Sequence, residues 1–206
     1  VIIFSGDAYI DHPSMGAAVI GRVLEAHGYN VAIVPQPNWR DDLRDFKKLG
    51  RPRLFFGVSA GAMDSMVNHY TANRRRRSDD AYTPDGRAGQ RPDCPTVVYS
   101  EILKRLWPDV PVVAGGIEAS LRRLAHYDYW KDRLVPSILM ESPADIMVYG
   151  MGEKPMLQIA DALNGGMPIE ALLDIPQTMV RRPLDEIPTD GSDVVLHSFE
   201  ECRRDK

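Results

Sequence analysis

Short, continuous apolar runs alternate with stretches of helical spacing along most of this 206-residue chain. This alternation is typical of βαβ units, because the strands of a parallel sheet are buried on both faces by the helices that connect them. We therefore predict an α/β fold with a doubly wound, mostly parallel, five-stranded sheet over residues 1–165. The predicted strands are Val1 to Phe4, Val31 to Val34, Leu54 to Val58, Val110 to Ala114 and Asp145 to Tyr149.

Helical spacing of apolar residues predicts helices in the segments between the strands. The predicted helices are Met15 to His27, Asp41 to Leu49, Asp64 to Ala72, Thr96 to Leu106, Ser120 to Ala125 and Glu153 to Leu163. Residues 166–206 differ, since they hold only a short helix, Ile169 to Leu173, and one strand candidate, Val194 to Leu196. We expect them to form a short C-terminal appendage that connects to a further domain.

Charge, cysteine content and the length of the apolar runs exclude several classes of protein. Lys and Arg number 25 against 29 Asp and Glu, which gives a formal charge of −4. This charge argues against a general nucleic-acid coat. It leaves a local basic patch open, so nucleic acid is not excluded as a partner. The two cysteines, Cys94 and Cys202, are too far apart in sequence for a clustered metal motif, and we expect a reduced, cytoplasmic protein. No apolar run approaches the roughly 20 residues that span a bilayer, so no membrane association is predicted.

Small and acidic residues follow four of the predicted strands, where a parallel sheet places its ligand crevice. The four strand ends read Ser5-Gly6-Asp7, Ser59-Ala60-Gly61, Gly115-Gly116-Ile117-Glu118 and Gly150-Met151-Gly152-Glu153. Each glycine alone is explained by the tight turns of an α/β fold, but together the four ends indicate a crevice. From this edge we take Asp7, Ser59, Asp64, Gly115, Gly116 and Glu118 as candidate binding residues. No G-x-G-x-x-G follows the first strand and no G-x-x-x-x-G-K motif occurs, which disfavours NAD and ATP.

Asp7, Asp11 and His12 stand close together after the first strand. A carboxylate beside an imidazole is suited to general acid–base chemistry or metal binding, which would make the protein a hydrolase or transferase. The alternative is that Asp11 and His12 form a turn and cap the following helix.

Residues 74–95 have no periodicity and are long for a loop in a compact domain, which is typical of functional or mobile segments. They begin with four consecutive arginines, Arg74, Arg75, Arg76 and Arg77. These are candidate ligands for an anion such as phosphate or RNA, in a lid over the crevice. The alternative is a solvated loop in which six arginines pair internally with four aspartates.

An aromatic stretch, Tyr127, Tyr129 and Trp130, lies just after Arg122 and Arg123. It resembles a stacking surface, and burial at a domain junction is the alternative.

Three segments carry a family resemblance: SGDAYIDHPSMG at 5–16, GVSAGAMDSMVNHYTANRRRRSDD at 57–80 and VPVVAGGIEASLRRLAHYDYW at 110–130. The chain resembles, over residues 1–206, the N-terminal region of the YgiQ family of radical SAM proteins. VVAGGIEAS and ADIMVYGMGE are also similar to the cobalamin-binding-like domains that precede many radical SAM cores, which implies a flavodoxin-like sheet. The resemblance implies a full-length enzyme that binds a 4Fe-4S cluster and S-adenosylmethionine (SAM).

Two departures from these families shape the expected function. The chain has no C-x-x-x-C-x-x-C run, so the resemblance places the cluster ligands beyond Lys206, and we expect no cofactor and no radical chemistry in these residues alone. The D-x-H-x-x-G pattern of cobalamin ligation is also not met, because Asp11 and His12 are adjacent, which disfavours cobalamin.

The sequence therefore predicts the accessory domain of a radical SAM enzyme of unknown substrate, with its own C-terminal radical SAM barrel as partner. Residues 166–206 would connect to that barrel. A stand-alone small-molecule-binding module is an alternative, and a hydrolase or transferase that uses Asp7, Asp11 and His12 is another.

Overall fold

A six-stranded sheet forms the centre of the computed structural model, which describes residues 1–10, 16–186 and 191–204. A separate two-stranded hairpin lies outside this sheet. In chain order the strands are β1 (Ile2–Ser5), β2 (Ala32–Pro35), β3 (Phe56–Ser59), β4 (Val112–Gly115), β5 (His126–Asp128), β6 (Arg133–Val135), β7 (Ile146–Val148) and β8 (Thr178–Val180).

Helices connect most of these strands. They are α1 (Gly16–Ala26), α2 (Arg44–Lys47), α3 (Ser65–His69), α4 (Pro95–Leu106), α5 (Gly116–Leu121), α6 (Ile138–Glu141), α7 (Glu153–Asn164) and α8 (Phe199–Arg204). Short 3-10 turns occupy Pro84–Gly86, Ile169–Ala171 and Leu184–Glu186. None of the helices in the described ranges has the length and apolar character needed to cross a membrane.

The order of the strands reverses at β1. The sheet runs β2-β1-β3-β4-β7-β8, so the chain passes from β1 to β2 on one side and then returns to β3 on the other. The first five strands of this order are parallel, and β8 is antiparallel to β7. Such a reversal leaves a crevice at the carboxyl ends of the strands, here between β1 and β3.

Alternating side chains of the strands fill two cores, one on each face of the sheet. On the first face Phe4, Phe56 and Val112 pack against Tyr99 and Leu103 of α4, and all five are buried. Each such side chain contributes about 1.5–3 kcal/mol through removal from water, so this face is a main source of stability.

The second face is covered by α1 and α7. Val113, Ile146 and Val148 pack there against Leu24 of α1 and Ile159 of α7. This face holds the cavity described below, because α1 and α7 begin at the carboxyl edge and leave space between their first turns.

The five predicted strands are present within two residues of their predicted bounds, but the five-strand count was wrong. The sixth strand, β8, is as short as β7 but is only half-buried and begins with Thr178, so it lacks the continuous apolar run that predicts a buried strand. It pairs with β7 and covers an edge that would otherwise expose unpaired backbone groups.

Other predicted bounds also need correction. The helix predicted to reach Ala72 ends at His69, because Tyr70 pairs with Arg76 in an antiparallel bridge. The helix predicted from Ser120 begins four residues earlier, directly after β4. The aromatic stretch forms the β5–β6 hairpin, and the strand candidate at 194–196 is exposed irregular chain.

The segment at 74–95 is folded rather than structureless. Two antiparallel bridges, Tyr70 with Arg76 and Asp79 with Arg87, and the 3-10 turn at Pro84–Gly86 organise it. It buries Asp80, Thr83 and Arg91 against the strand ends. Its lack of periodicity therefore reflects turns and bridges, neither of which repeats along the sequence.

Candidate functional site

A cavity of about 340 Å³ opens at the carboxyl edge of the sheet, on the face covered by α1 and α7. Its floor consists of Ile3, Gly57, Val113 and Val148, one residue from each of β1, β3, β4 and β7. The missing side chain of Gly57 leaves space at the centre of this floor. A glycine inside a strand is typical of a place where a ligand or another backbone approaches closely.

Small residues of the loops after β3 and β4 form one wall of the cavity: Ser59, Gly61, Gly115 and Gly116. Gly116 has a φ of +85°, and a Cβ there would lie 2.6 Å from the Ser59 Oγ. Gly61 has a φ of +110°, and a Cβ would lie 2.1 Å from the Asp7 carboxylate. Only glycine fits either position, so this wall presents backbone rather than side chains.

The mouth of the cavity is apolar. Val19 of α1, Ile117 of α5 and Met151 after β7 line it and are exposed. Ser59 and Glu153 supply the polar side chains of the described lining. A mainly apolar cavity with few polar groups suits an apolar ligand or an apolar part of one.

Asp7 belongs to a buried ion-pair cluster rather than to the cavity lining. Its Oδ1 lies 2.6 Å from Nη1 of Arg91, whose side chain is 0% exposed against 5% for Asp7. Its Oδ2 accepts a 2.7 Å hydrogen bond from the backbone N–H of Ala62. Arg91 Nη1 also donates to the carbonyl of Ala60, and Nη2 lies 3.5 Å from Asp80. Asp7 therefore joins the loops after β1 and β3 to the segment at 74–95.

Asp64 also serves a structural purpose. Its carboxylate accepts from the backbone N–H groups of Met66 and Val67 and so caps α3. The Arg122 side chain donates to both oxygens of Asp64, at 2.8 and 3.1 Å. The same guanidinium lies 3.5 Å from Asp128 of β5, and this link fastens α3 to the hairpin.

Glu118 is fully buried and connects two helices. Its Oε1 accepts from the backbone N–H of Thr96, at the start of α4, and from the thiol of Cys94. Its Oε2 accepts from the N–H of Ser65, at the start of α3, at 3.4 Å. Burial raises the pKa of Glu118. Burial, together with the neighbouring Glu118 charge, also raises the pKa of the Cys94 thiol, which makes this cysteine unreactive.

The predicted site residues therefore separate into three places. Ser59, Gly115 and Gly116 line the cavity, whereas Asp7, Asp64 and Glu118 lie beside it in buried polar contacts. Arg74, Arg75, Arg76 and Arg77 are exposed on the turn after α3. Asp11 and His12 lie outside the described residues.

Sequence reasoning missed Arg91, which it counted only as one of six arginines in a segment without periodicity. No local signal distinguishes Arg91, because its partners are up to 84 residues away. Gly57 did have a signal, since glycine is unfavourable inside a strand unless space is needed there.

The donor set of this chain does not fit an iron–sulfur cluster. A 4Fe-4S cluster is held by cysteine thiolates, whereas the chain has two cysteines, both unpaired, and Cys94 donates its thiol proton to Glu118. Among the described residues no group of three or more His, Cys, Asp and Glu side chains is placed to hold a metal ion.

Fold and site together define a doubly wound α/β domain with a ligand-sized cavity at the point where the strand order reverses. The family model described as Radical SAM N-terminal matches residues 1–206, and the chain belongs to this family. A UPF0313 protein of Porphyromonas gingivalis is 66% identical over the whole chain, and Escherichia coli UPF0313 protein YgiQ is 54% identical over 87% of it. The predicted resemblance to the YgiQ family is thus confirmed.

The chain spans 33% of the P. gingivalis relative and 24% of the E. coli one. Among solved structures, the radical S-adenosylmethionine methyltransferase TsrM from Kitasatospora setae, bound to tryptophan substrate and a SAM analog, has a similar fold. The TM-score is 0.52 at 21% identity, covering 87% of this chain and 28% of TsrM. At 21% identity the similarity extends to the fold alone.

Replacing Arg91 with leucine should destabilise the fold strongly. Asp7 and Asp80 would stay buried without their guanidinium partner, and we expect the free energy of unfolding to fall by about 3–5 kcal/mol. The matched control is Arg87→Leu, since Arg87 forms a largely exposed pair with Asp85 and should cost less than about 1 kcal/mol. Urea denaturation measures both; equal effects would show that the buried cluster is not a main support.

Glu118 should make stability depend on pH in one direction. Because burial raises its pKa in the folded state above the ordinary 4.5, the folded protein binds more protons than the unfolded chain between those two values. The favourable contribution is complete below pH 4.5 and is lost as the pH rises through the folded pKa. We expect the stability of the wild type, relative to Glu118→Gln, to fall as the pH rises above 4.5. Denaturation of both proteins across this pH range measures the difference between their free energies of unfolding. A difference that stayed constant with pH would contradict the raised pKa of Glu118.

Filling the floor of the cavity should block an apolar probe without unfolding the protein. A Cβ at position 57 would lie 3.4 Å from Ile3 Cγ1, an ordinary contact, and valine is favourable in a strand. We expect Gly57→Val to weaken binding of 8-anilinonaphthalene-1-sulfonate by about tenfold, measured by fluorescence titration. Ala32→Val, which adds the same kind of bulk against the first core, is the control. Unchanged probe binding by Gly57→Val would mean that the cavity is not where the probe binds.

Proposed function

We propose that this chain is the N-terminal accessory domain of a radical SAM enzyme and that its strand-end cavity covers or recognises an apolar part of the substrate. The observation that carries this proposal is the cavity at the reversal of strand order, where open α/β sheets bind their ligands. In this role the chain's own residues position a ligand and exclude water, and they perform no bond cleavage.

The cofactors would be held elsewhere in the longer protein. Radical SAM chemistry uses a 4Fe-4S cluster and SAM, and the donors of this chain do not fit the cluster. The relatives are about three to four times as long as the matched region, which leaves ample length for a catalytic barrel. Such a barrel is the partner that we propose for this domain. The predicted connection at 166–206 needs correction, because Thr178–Val180 form β8 of the sheet, and we propose the residues after β8 as the connection.

Exposed apolar side chains around the cavity mouth are consistent with a partner at this edge. Ile117 and Leu121 of α5, together with Met151 after β7, are exposed beside the cavity. Isolated exposed apolar residues are ordinary, but several around one concave opening are typical of a surface that another domain covers.

We also include in this proposal the fold family to which the domain belongs. The order of the five parallel strands suits a flavodoxin-like, cobalamin-binding-like domain, while the unmatched D-x-H-x-x-G pattern still leads us to predict no cobalamin. A cytoplasmic location likewise remains a prediction.

The alternatives have less support. A stand-alone binding module does not account for the greater length of the relatives. A hydrolase or transferase that uses Asp7 would need its carboxylate to leave the buried pair with Arg91.

The proposal predicts that catalysis and this chain can be separated. Reconstituted with iron and sulfide, the 206-residue chain should hold no stoichiometric cluster, because it lacks three suitably placed thiolates. The whole P. gingivalis relative should bind the cluster and cleave SAM reductively to 5′-deoxyadenosine, and removal of its first third should leave the cluster in place. Iron, sulfide and 5′-deoxyadenosine assays measure these outcomes.

A stoichiometric cluster on the 206-residue chain would overturn the accessory-domain proposal. So would a whole relative that binds neither cluster nor SAM.

A further inference from the structure

Four exposed arginines on the turn after α3 and two exposed tyrosines of the β5–β6 hairpin form a surface that is joined by the contact of Arg74 with Tyr129. We call it the arginine–tyrosine face and define it as Arg74–Arg77 with Tyr127 and Tyr129. All four arginines are exposed, and the tyrosines are 56% and 44% exposed. The turn with the arginines follows α3 in the connection from β3 to β4, and the hairpin with the tyrosines follows α5 in the connection from β4 to β7.

The backbone holds the arginines on an ordered turn. The N–H of Thr71 donates to the carbonyl of Arg75 at 2.8 Å, and the N–H of Arg74 donates to Thr71 at 2.9 Å. The N–H of Arg77 donates to the carbonyl of His69 at 2.8 Å. The backbone that carries the four arginines is therefore ordered before any ligand arrives, which lowers the entropy cost of binding. The Arg76 guanidinium packs against Gly89, so Arg74, Arg75 and Arg77 supply the available charge of this face.

Three of the four aspartates at 74–95 are engaged by other groups, and the fourth, Asp79, is exposed and accepts from the Ser78 hydroxyl at 3.5 Å. Asp80 pairs with Arg91, Asp85 pairs with Arg87, and Asp93 contacts His69 and Tyr70. Within the described ranges, no carboxylate lies within 4.0 Å of a guanidinium nitrogen of Arg74–Arg77. The predicted alternative of a loop whose arginines are internally paired thus holds for Arg87 and Arg91 but not for these four.

Tyr129 is attached to the arginine turn. Its hydroxyl donates to the carbonyl of Ala72 at 2.7 Å, and the Arg74 guanidinium lies 4.6 Å from its ring centroid. The Tyr127 hydroxyl donates to Asp132 in the turn between β5 and β6, which fixes that ring beside the turn of the hairpin. Arg122, through Asp64 and Asp128, holds the start of α3 and the hairpin together. The arginine turn and the Tyr129 ring are thereby held in contact.

We propose that the arginine–tyrosine face binds single-stranded nucleic acid. Arg75 and Arg77 would contact phosphates, and the exposed ring of Tyr127 would stack on a base. Unpaired positive charge beside exposed aromatic rings is the combination that proteins use for single strands, because charge follows the backbone and every base has a face to stack. An anion site for phosphate alone would not need the rings. The overall charge of −4 limits the interaction to this face.

The first test removes charge. Fluorescence anisotropy would follow the binding of the 206-residue chain to a fluorescein-labelled oligouridylate of about 12 nucleotides, between about 50 and 200 mM KCl. The double variant Arg75→Gln/Arg77→Gln should bind about tenfold more weakly, and the slope of log K against log salt should decrease by about 1.4, or 0.7 for each lost phosphate contact. The matched control, Arg22→Gln/Arg51→Gln, removes two exposed arginines elsewhere and should stay within about twofold of the wild type.

The second test removes a ring. Tyr127→Ala should weaken binding of the single strand by about tenfold while leaving the salt dependence unchanged, because stacking releases no counterions. Inorganic polyphosphate should compete poorly, since it has charge but no bases. Circular dichroism melting would verify that each variant is folded.

Equal losses of affinity in the arginine variant and its control would overturn the proposal, because the oligonucleotide would then be attracted by positive charge anywhere on the surface. Unchanged affinity of Tyr127→Ala, with polyphosphate competing as well as the oligonucleotide, would also overturn it and indicate a simple anion site. The proposal rests on residues other than those of the cavity, so its failure would leave the proposed accessory function intact.

Discussion

The Arg91 guanidinium fastens the carboxyl edge of the sheet. It is completely buried and joins Asp7 after β1, the Ala60 carbonyl after β3 and Asp80 of the segment at 74–95. The guanidinium has five donors spread over three nitrogens in a rigid plane, so it can contact partners on different loops that lie too far apart for the single nitrogen of a lysine. The cavity wall that contains Gly61 is set by this contact, because Gly61 packs directly against the Asp7 carboxylate.

Buried acids at strand ends serve the fold in the same way. Glu118 accepts from backbone N–H groups at the starts of α3 and α4, and Asp64 caps α3 while it pairs with Arg122. Free N–H groups at a helix start favour a negative charge, so these acids lie where the backbone itself attracts them. The cavity beside them is consequently left to backbone and apolar side chains, which is why it suits an apolar ligand.

Period and composition are sufficient to predict the five parallel strands, because continuous apolar runs report burial on both faces. They do not reveal β8, because its three residues are only half-buried and form no continuous apolar run, unlike the equally short β7. The rule that ligands bind at the carboxyl ends of strands places Asp7, Ser59, Gly115 and Glu118 at the correct edge. It does not tell whether a side chain turns into the cavity or into the interior, because that depends on distant partners such as Arg91.

Net charge proves a poor guide to the surface of this protein. The formal charge of −4 counts Asp7, Asp64, Asp80 and Glu118, yet all four are buried. Solvent therefore sees a different balance near the carboxyl edge, where Arg74–Arg77 are exposed and have no carboxylate partner within salt-bridge distance among the described residues. Arg91 is buried with two aspartates, Asp7 and Asp80, so this cluster takes one more acid than base out of the surface and leaves one aspartate fewer to neutralise an exposed arginine.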